Sequence, residues 1–145
     1  MLLQELKSKN NELVWAGKTI TELHELFGRT PLFIYDQEAI TSQIQTLKKL
    51  FPKEIKIHYA IKANPMMEVV NHLALLVDGF DVASAGELKI ALSTRMNIEN
   101  ISLAGPGKTK EELLFAVKSG VVINLESFRE IEELAFIQNQ HSIQP

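Results

Sequence analysis

One repeat constrains the fold of this chain more than any other feature. Four short β-like runs, IKIHYAIK (55–62), FDVAS (80–84), ISLAG (101–105) and VVINLE (121–126), are each followed by a helix signal. They end at 62, 84, 105 and 126, which are 22, 21 and 21 residues apart. Strands that alternate with helices across short loops indicate parallel βαβ units with right-handed crossovers.

The two faces of these runs distinguish a barrel from an open sheet. One face is bulky and apolar in every run. The other is small or polar and carries Lys56, His58, Ala60, Lys62, Asp81, Ala83, Ser102, Ala104, Val122, Asn124 and Glu126. A sheet covered by helices on both faces should be apolar on both. We therefore expect a (β/α)8 barrel whose second face lines a partly polar interior.

Four βα units make only half of such a barrel. A four-stranded piece cannot close on itself, because closure requires strand number, tilt and stagger to agree. We expect the chain to form the N-terminal portion of a TIM-type barrel, incomplete by itself, and to be either a fragment of a longer protein or one piece of an assembly.

Capping signals mark where helices begin. Thr19 and Glu22 form a capping box before a short helix that should stop at Gly28, and Asp36 can cap the next helix. Three further capping boxes follow the later β-like runs, at 84–87, 109–112 and 127–130. Residues 31–35, PLFIY, predict a short strand.

Composition excludes several function classes. The 145 residues are 46% hydrophobic and 23% charged, and the net charge is 15 − 18 = −3. These values fit about one globular domain and give no electrostatic footprint for nucleic acid or anionic lipid. Cysteine is absent, so disulfides and thiolate metal sites are excluded, and no metal site is expected. No apolar run is long enough for a membrane span or a signal peptide, so the expected location is cytoplasmic.

Lys62 carries the sharpest chemical signal. It lies at the carboxyl end of the first β-like run, where barrel active sites are built. Alternation points its side chain inward, and desolvation there would lower the pKa of the amine and make it a nucleophile. Ala60, one step below, leaves room for a flat ligand. The alternative is a strand-end lysine whose amine reaches solvent.

Five ordered motifs extend this signal. YAIKAN (59–64) and FDVASAGEL (80–88) are accompanied by TPLFIYD (30–36), GPGKTKEEL (105–113) and INLES (123–127). Together, over about residues 30 to 137, they resemble the alanine-racemase-fold (fold type III) pyridoxal-phosphate decarboxylases, the diaminopimelate, ornithine and arginine decarboxylases.

This resemblance implies a cofactor and three catalytic residues. Lys62 would form the internal Schiff base with pyridoxal 5′-phosphate, and Ala60 and Asp81 would complete the cofactor contacts. Asp81 would lie near the lysine and bias its protonation, and Glu87 would lie near the active site. The structural alternatives are an aspartate that caps a backbone N–H and, for Glu87, the third helical position of the 84–87 capping box.

Other polar residues of the half-barrel are better explained structurally. His58 is expected to pack low in the barrel. The loop 105–108 (GPGK) could be mistaken for a phosphate cradle, but its glycines are expected to turn the chain from strand to helix. For Asn124 and Glu126, a role facing the ligand and a role as a polar layer remain equally open.

The resemblance also implies missing parts. The family's stacking histidine, glycine-rich phosphate loop and pyridine-binding glutamate come later in the barrel. A C-terminal β-domain then completes the active site across a dimer interface. We therefore divide the chain into a lead-in (1–30), a strand of that absent β-domain (31–36) and the first half of the cofactor-binding barrel (37–145). We expect an amino-acid substrate, a full-length homodimer and little or no activity from this chain alone.

Three alternatives remain from the sequence. The first is an amino-acid racemase of the same fold, although such racemases usually follow the lysine with Tyr-Gly-His-Gly, whereas this chain has NPMM (64–67). The second is a non-catalytic pyridoxal-phosphate carrier barrel. The third is a half-barrel that associates through its edges and has no chemistry.

Overall fold

A computed structural model describes residues 7–141 of the chain. The chain divides into two compact units, 1–43 and 44–145. The division falls within a helix rather than at the expected boundary near residue 36. Between residues 7 and 141, none of the helices combines the length and apolar composition needed to cross a bilayer.

The first unit contains a small antiparallel sheet that the sequence analysis missed. Its strands are β1 (Lys7–Lys9), β2 (Glu12–Trp15) and β3 (Lys18–Thr19), in the order β1-β2-β3. Two-residue turns join them, with φ of 52° and 63° at Asn10 and Asn11 and of 50° and 75° at Ala16 and Gly17. Positive φ at both central residues matches the twist of hairpin strands, and Asn and Gly adopt it most readily. Residues 7–19 of the lead-in therefore form a β-meander.

The predicted first helix is confirmed, together with both of its caps. Helix α1 (Ile20–Phe27) begins after Thr19, whose hydroxyl accepts from the Glu22 N–H at 3.2 Å, and the Glu22 carboxylate accepts from the Thr19 N–H at 2.7 Å. The helix ends at Gly28, which has the left-handed φ of 65°. Local capping chemistry alone was sufficient to locate this element.

The expected strand at 31–35 is wrong for this structure. Residues 31–36 are irregular, because no described strand accepts or donates a ladder of hydrogen bonds along them. Their assignment to a separate β-domain stays a prediction. Asp36 does cap the next helix, α2 (Gln37–Leu50), since its Oδ1 accepts from the N–H groups of Glu38 and Ala39 at 2.8 and 3.3 Å.

The second unit confirms the four predicted βα repeats. A parallel sheet has the order β4-β5-β6-β7, and each strand is followed by a helix. The strands are β4 (His58–Ala60), β5 (Gly79–Val82), β6 (Ile101–Leu103) and β7 (Val122–Ile123). The helices are α3 (Met67–Leu73), α4 (Ala85–Leu92), α5 (Lys110–Ser119) and α6 (Phe128–His141).

The predicted contrast between the two faces of the sheet is also confirmed. Phe80, Val82, Ile101 and Leu103 are at most 1% exposed and belong to the same buried core as apolar residues of α3, α4 and α5. On the opposite face Asp81 and Ser102 are half-buried and Val122 is exposed. The helices therefore cover one face only, as in the N-terminal part of a (β/α)8 barrel.

The strands are shorter than the β-like runs, so Lys62 lies just outside the strand in which it was expected. Strand β4 ends at Ala60, and Ile61–Ala63 form a 3-10 turn closed by a bond from the Asn64 N–H to the Ile61 carbonyl at 3.1 Å. The two-residue alternation ends with the strand. Ile61 is fully buried, whereas the Lys62 side chain is exposed rather than enclosed. The expected desolvation of Lys62 concerns a closed barrel and stays a prediction, because four strands leave the inner face of the sheet uncovered.

Candidate active site

The predicted site residues converge on the carboxyl end of the parallel sheet. Ala60 pairs with Asp81, Asp81 pairs with Ser102, and Ser102 pairs with Val122, so one row of side chains crosses all four strands. Lys62 follows the first strand of this row by two residues. Because parallel strands end at the same edge, the topology brings the turn that carries Lys62 and this row, which includes Asp81, to the carboxyl end of the sheet.

Asp81 is the most connected side chain of this row. Its Oδ1 atom accepts a short hydrogen bond from the Ser102 hydroxyl and lies 3.6 Å from Nδ1 of His58. The His58 side chain is 34% exposed and faces Asp81, and the expectation that it packs low in a complete barrel stays a prediction. The contact joins three adjacent strands.

Lys62 has an unengaged amine. Within residues 7–141 it makes no hydrogen bond and no ion pair. Tyr59, three residues earlier, supports the turn that carries it, since the phenol donates to the Asn64 carbonyl at 3.1 Å and the ring packs edge-on against Phe80. Lys62 is therefore an accessible primary amine on a turn that other residues hold in place.

Glu87 has a local structural role. Its N–H donates to the Ser84 hydroxyl at 3.2 Å, but its carboxylate accepts from the Ala83 N–H at 2.9 Å instead of closing the predicted box on Ser84. This contact ties the first turn of α4 to the end of β5. A catalytic role for Glu87 stays a prediction.

The loop at 105–108 is not a phosphate cradle. Lys108 is 3% exposed, and its amine donates to the Gly105 carbonyl at 2.6 Å and to Oε2 of Glu130 at 3.1 Å. Gly105 adopts a φ of 112°, which L side chains rarely adopt, so it turns the chain as expected. Since the lysine charge is already neutralised, it is not available to an anion.

Glu130 completes a buried ion pair that the sequence analysis missed. Burial raises the pKa of its carboxyl group, but the hydrogen bond from the Glu126 N–H and the neighbouring Lys108 outweigh burial, so the pKa lies below its usual range. Its second oxygen, Oε1, is buried without a partner among the described residues. The capping-box position gave the only sequence signal for this residue.

Glu126 joins the same two loops from the outside. Its Oε1 accepts from the Gly105 N–H at 2.5 Å, and its own N–H donates to Glu130. The guanidinium of Arg129 donates to the Lys108 carbonyl at 2.9 Å. Glu126 thus acts as a loop clamp, whereas the exposed Asn124 is available on the same strand end.

The family model for the pyridoxal-binding domain of pyridoxal-dependent decarboxylases matches residues 37–144 of this chain. The chain belongs to this family. The match confirms the resemblance drawn from the motifs and the expected pyridoxal 5′-phosphate cofactor. It also favours the decarboxylases over the racemases of the same fold.

Individual relatives agree with this assignment. Diaminopimelate decarboxylase of Aquifex aeolicus is 38% identical over 89% of this chain and 30% of its own length. The L-glutamyl-[BtrI acyl-carrier protein] decarboxylase of Niallia circulans is 37% identical over 83% of this chain and 29% of its own length. The crystal structure of diaminopimelate decarboxylase from M. jannaschii with L-lysine superposes with a TM-score of 0.80, at 28% identity, over 94% of this chain and 33% of that one. The chain thus spans about 30% of the length of the curated relatives it matches.

The residues present fit one end of the cofactor. An unengaged primary amine suits the aldehyde group, and the Asp81 carboxylate, with Oδ2 free of hydrogen bonds to residues 7–141, suits a neighbouring cationic nitrogen. The small side chain of Ala60 leaves space beside the Lys62 amine and the Asp81 carboxylate. The loop lysine that could have held a phosphate is committed to Glu130. The chain therefore fits the amine-reactive end of pyridoxal phosphate.

Ser102, in the same row as Asp81, and His58, two residues before Ala60, were missed by the sequence analysis as functional candidates. Ser102 and His58 both contact Asp81, and both were placed on its face of the sheet without a role. A signal existed: Ser102 is the only hydroxyl on that face of the four β-like runs, and it lies 21 residues after Asp81, one repeat away.

Proposed function

We propose that this chain supplies the lysine-bearing half of the active site of a pyridoxal-phosphate-dependent amino-acid decarboxylase. The observation that carries the proposal is the juxtaposition of the exposed, unengaged Lys62 with the Asp81 row at the carboxyl end of a parallel half-barrel. The family to which the chain belongs supports the reaction class.

Each residue has a stated task in this proposal. Lys62 would hold the cofactor through its amine, which can condense with the aldehyde group with loss of water, and Ala60 leaves space beside it for a flat ring. Asp81 presents Oδ2 to a cationic nitrogen of the bound ligand. The negative charge of the carboxylate favours the protonated state of that nitrogen. When bound, pyridoxal phosphate supplies an electron sink for the electrons left by departing CO₂. Glu87, bonded to the backbone of Ala83, keeps the end of β5 in register with this site.

The substrate is proposed only at the level of an amino-acid carboxylate. Relatives named for diaminopimelate and for an acyl-carrier-bound glutamyl group are 38% and 37% identical to this chain. Nearly equal similarity to enzymes with different substrates supports the reaction class and leaves the side chain of the substrate open.

The same proposal extends to location and assembly. We infer a cytoplasmic enzyme that works as a homodimer, in which other segments supply the phosphate site and complete the catalytic residues. The parallel edge strands β4 and β7 support completion of the barrel by further strands.

Cofactor capture tests the proposal directly. The chain is mixed with pyridoxal phosphate, reduced with borohydride and mapped by peptide mass spectrometry. We expect Lys62 to be labelled at cofactor concentrations about tenfold lower than the other exposed lysines, a preference of about 1.4 kcal/mol. Lys62→Ala should lose this high-affinity labelling, and Lys56→Ala is the matched control that should keep it. Equal labelling of Lys62 and Lys56 would overturn the proposal.

Decarboxylation requires a separate assay. CO₂ release from a panel of amino acids is measured with the intact gene product in which this sequence occurs, and with its Lys62→Ala variant. We expect release that depends on pyridoxal phosphate and on Lys62. Interconversion of amino-acid enantiomers without CO₂ release would instead identify a racemase.

A further inference from the structure

Asp81 is approached from two sides at a single oxygen, by one hydrogen bond and one imidazole contact. Its Oδ1 receives the Ser102 hydroxyl from β6 and faces Nδ1 of His58 from β4 at 3.6 Å. Its Oδ2 makes no hydrogen bond to any residue between 7 and 141, and the side chain is 49% exposed. A carboxylate that used both oxygens for structure would bond through both, as Glu112 does with the Ala85 and Thr109 N–H groups.

A glycine makes room for the imidazole in this arrangement. Gly79 pairs with His58 in the ladder, and a Cβ added there would come within 2.7 Å of Nδ1 of the histidine and closer still to its Cε1. It would also come within 2.5 Å of the Asn100 carbonyl oxygen. A Cβ at this position would overlap the ring, so glycine at 79 leaves the space that the imidazole occupies beside Asp81.

We propose that His58 and Ser102 are positioning residues for Asp81. They commit Oδ1 to the protein and leave Oδ2 presented at the carboxyl end of the sheet, as the counter-charge for a cationic nitrogen of the bound ligand. Fixing the carboxylate in advance removes a rotamer cost from ligand binding. The ligand-facing part of this inference rests on the proposed function, whereas the orientation of Asp81 does not.

The orientation is tested without cofactor, on the whole chain. Side-chain ¹⁵N NMR at a pH where imidazoles are neutral reports which ring nitrogen carries the proton, and a neighbouring acceptor sets that choice. We expect His58 to carry it on Nδ1, facing Asp81, and to change to Nε2 in Asp81→Ala. His24, an exposed ring in the first unit, should not change. A His58 tautomer that is the same with and without Asp81 would overturn the inference.

The effect on the ligand is tested with a pair of variants at one position. Ser102→Ala removes the hydroxyl, and Ser102→Thr keeps it in a strand-compatible side chain. One hydrogen bond contributes about 0.5–1.5 kcal/mol, so Ser102→Ala should raise the pyridoxal-phosphate concentration for half-labelling of Lys62 by about 2- to 10-fold. Ser102→Thr should restore the wild-type value. Equal capture by all three proteins, or equal loss in both variants, would overturn the positioning role.

The two proposals fail in distinguishable ways. If wild-type Lys62 shows no preference over Lys56, the proposed function fails, and the His58 tautomer still decides the orientation of Asp81. If Lys62 is preferred but the tautomer ignores Asp81, the proposed function stands and the positioning inference fails. Urea unfolding of Asp81→Ala and both Ser102 variants confirms that the comparison is made between folded chains.

Discussion

Two lysines follow the strand ends of the same parallel sheet and have opposite environments. Lys62, after β4, is exposed and makes no bond to the described residues, whereas Lys108, after β6, is 3% exposed and donates to Glu130 and Gly105. Both lie in loops at the carboxyl end of the sheet, where barrel enzymes place their chemistry. Position in the fold therefore does not decide which lysine is reactive.

The presence or absence of a buried carboxylate partner decides which lysine is reactive. A buried ammonium must be neutralised, because leaving its charge uncompensated in the interior costs several kcal/mol. Glu130 meets that requirement for Lys108 and converts it into a clamp between two loops. Lys62 has solvent in place of a partner, so its amine is available to an aldehyde. The difference between a structural and a candidate catalytic lysine lies in one buried carboxylate.

The largest effect that we predict comes from breaking the buried pair. Lys108→Ala leaves Glu130, which is fully buried, without its counter-charge. The free energy of unfolding should fall by about 3 kcal/mol or more, measured by urea titration. The double variant Lys108→Met/Glu130→Leu, which removes both charges, should recover much of this loss. Equal stability of wild type and Lys108→Ala would show that the pair is not buried in solution.

A smaller loss of stability is expected from Gly79→Ala, at the start of β5, where Gly79 pairs with His58 of β4. The added Cβ would meet a backbone oxygen, that of Asn100, at 2.5 Å, and would overlap the His58 ring. Such overpacking costs about 1–3 kcal/mol, and the His58 tautomer should change with it. Gly107→Ala is the matched control, since a Cβ added there would have nothing within 4 Å. Equal stability of Gly79→Ala and Gly107→Ala would contradict the close packing of Gly79 against His58 and Asn100.

The sequence predicts the architecture of this molecule better than the environment of its lysines. The 21–22-residue repeat and the Thr109 capping box are local patterns, and local hydrogen bonds reproduce them, since the Thr109 hydroxyl and the Glu112 carboxylate each accept the expected N–H. The Lys108–Glu130 pair spans 22 residues and depends on how two loops pack. No local pattern encodes that distance.

The limits of the strands are harder to predict for a related reason. Alternation predicts a strand through 62, but a ladder lasts only while a neighbour pairs with it, and β4 pairs with β5 only from His58 to Ala60. Beyond that point the 3-10 turn sets the direction of Lys62. The β1–β3 meander carries two recognisable turn pairs, at 10–11 and 16–17, but its strands are too short to show the alternation that predicts a strand.

Acid should reduce the contribution of the Lys108–Glu130 ion pair to the stability of the fold. The pKa of Glu130 is below its usual value of 4.5 in the folded chain, so its contribution to stability is present above about pH 4.5 and is lost as the pH falls toward the folded pKa. We expect the free energy of unfolding to fall on acidification from about pH 6 to about pH 3. The fall should be smaller in Glu130→Gln, which lacks the titrating carboxyl group. Glu132→Gln, which changes an exposed carboxylate of the same helix, should follow the wild type.

The smallest expected effect on stability, and the most informative, is that of Lys62→Ala. The side chain is exposed and bonded to no described residue, so its removal should change the free energy of unfolding by less than about 0.5 kcal/mol. A negligible change is what the proposed cofactor-binding role of Lys62 requires, because that role assigns the side chain no part in the fold. A loss of stability comparable to that of Lys108→Ala would instead make Lys62 a second structural lysine, and would remove the contrast from which its role is inferred.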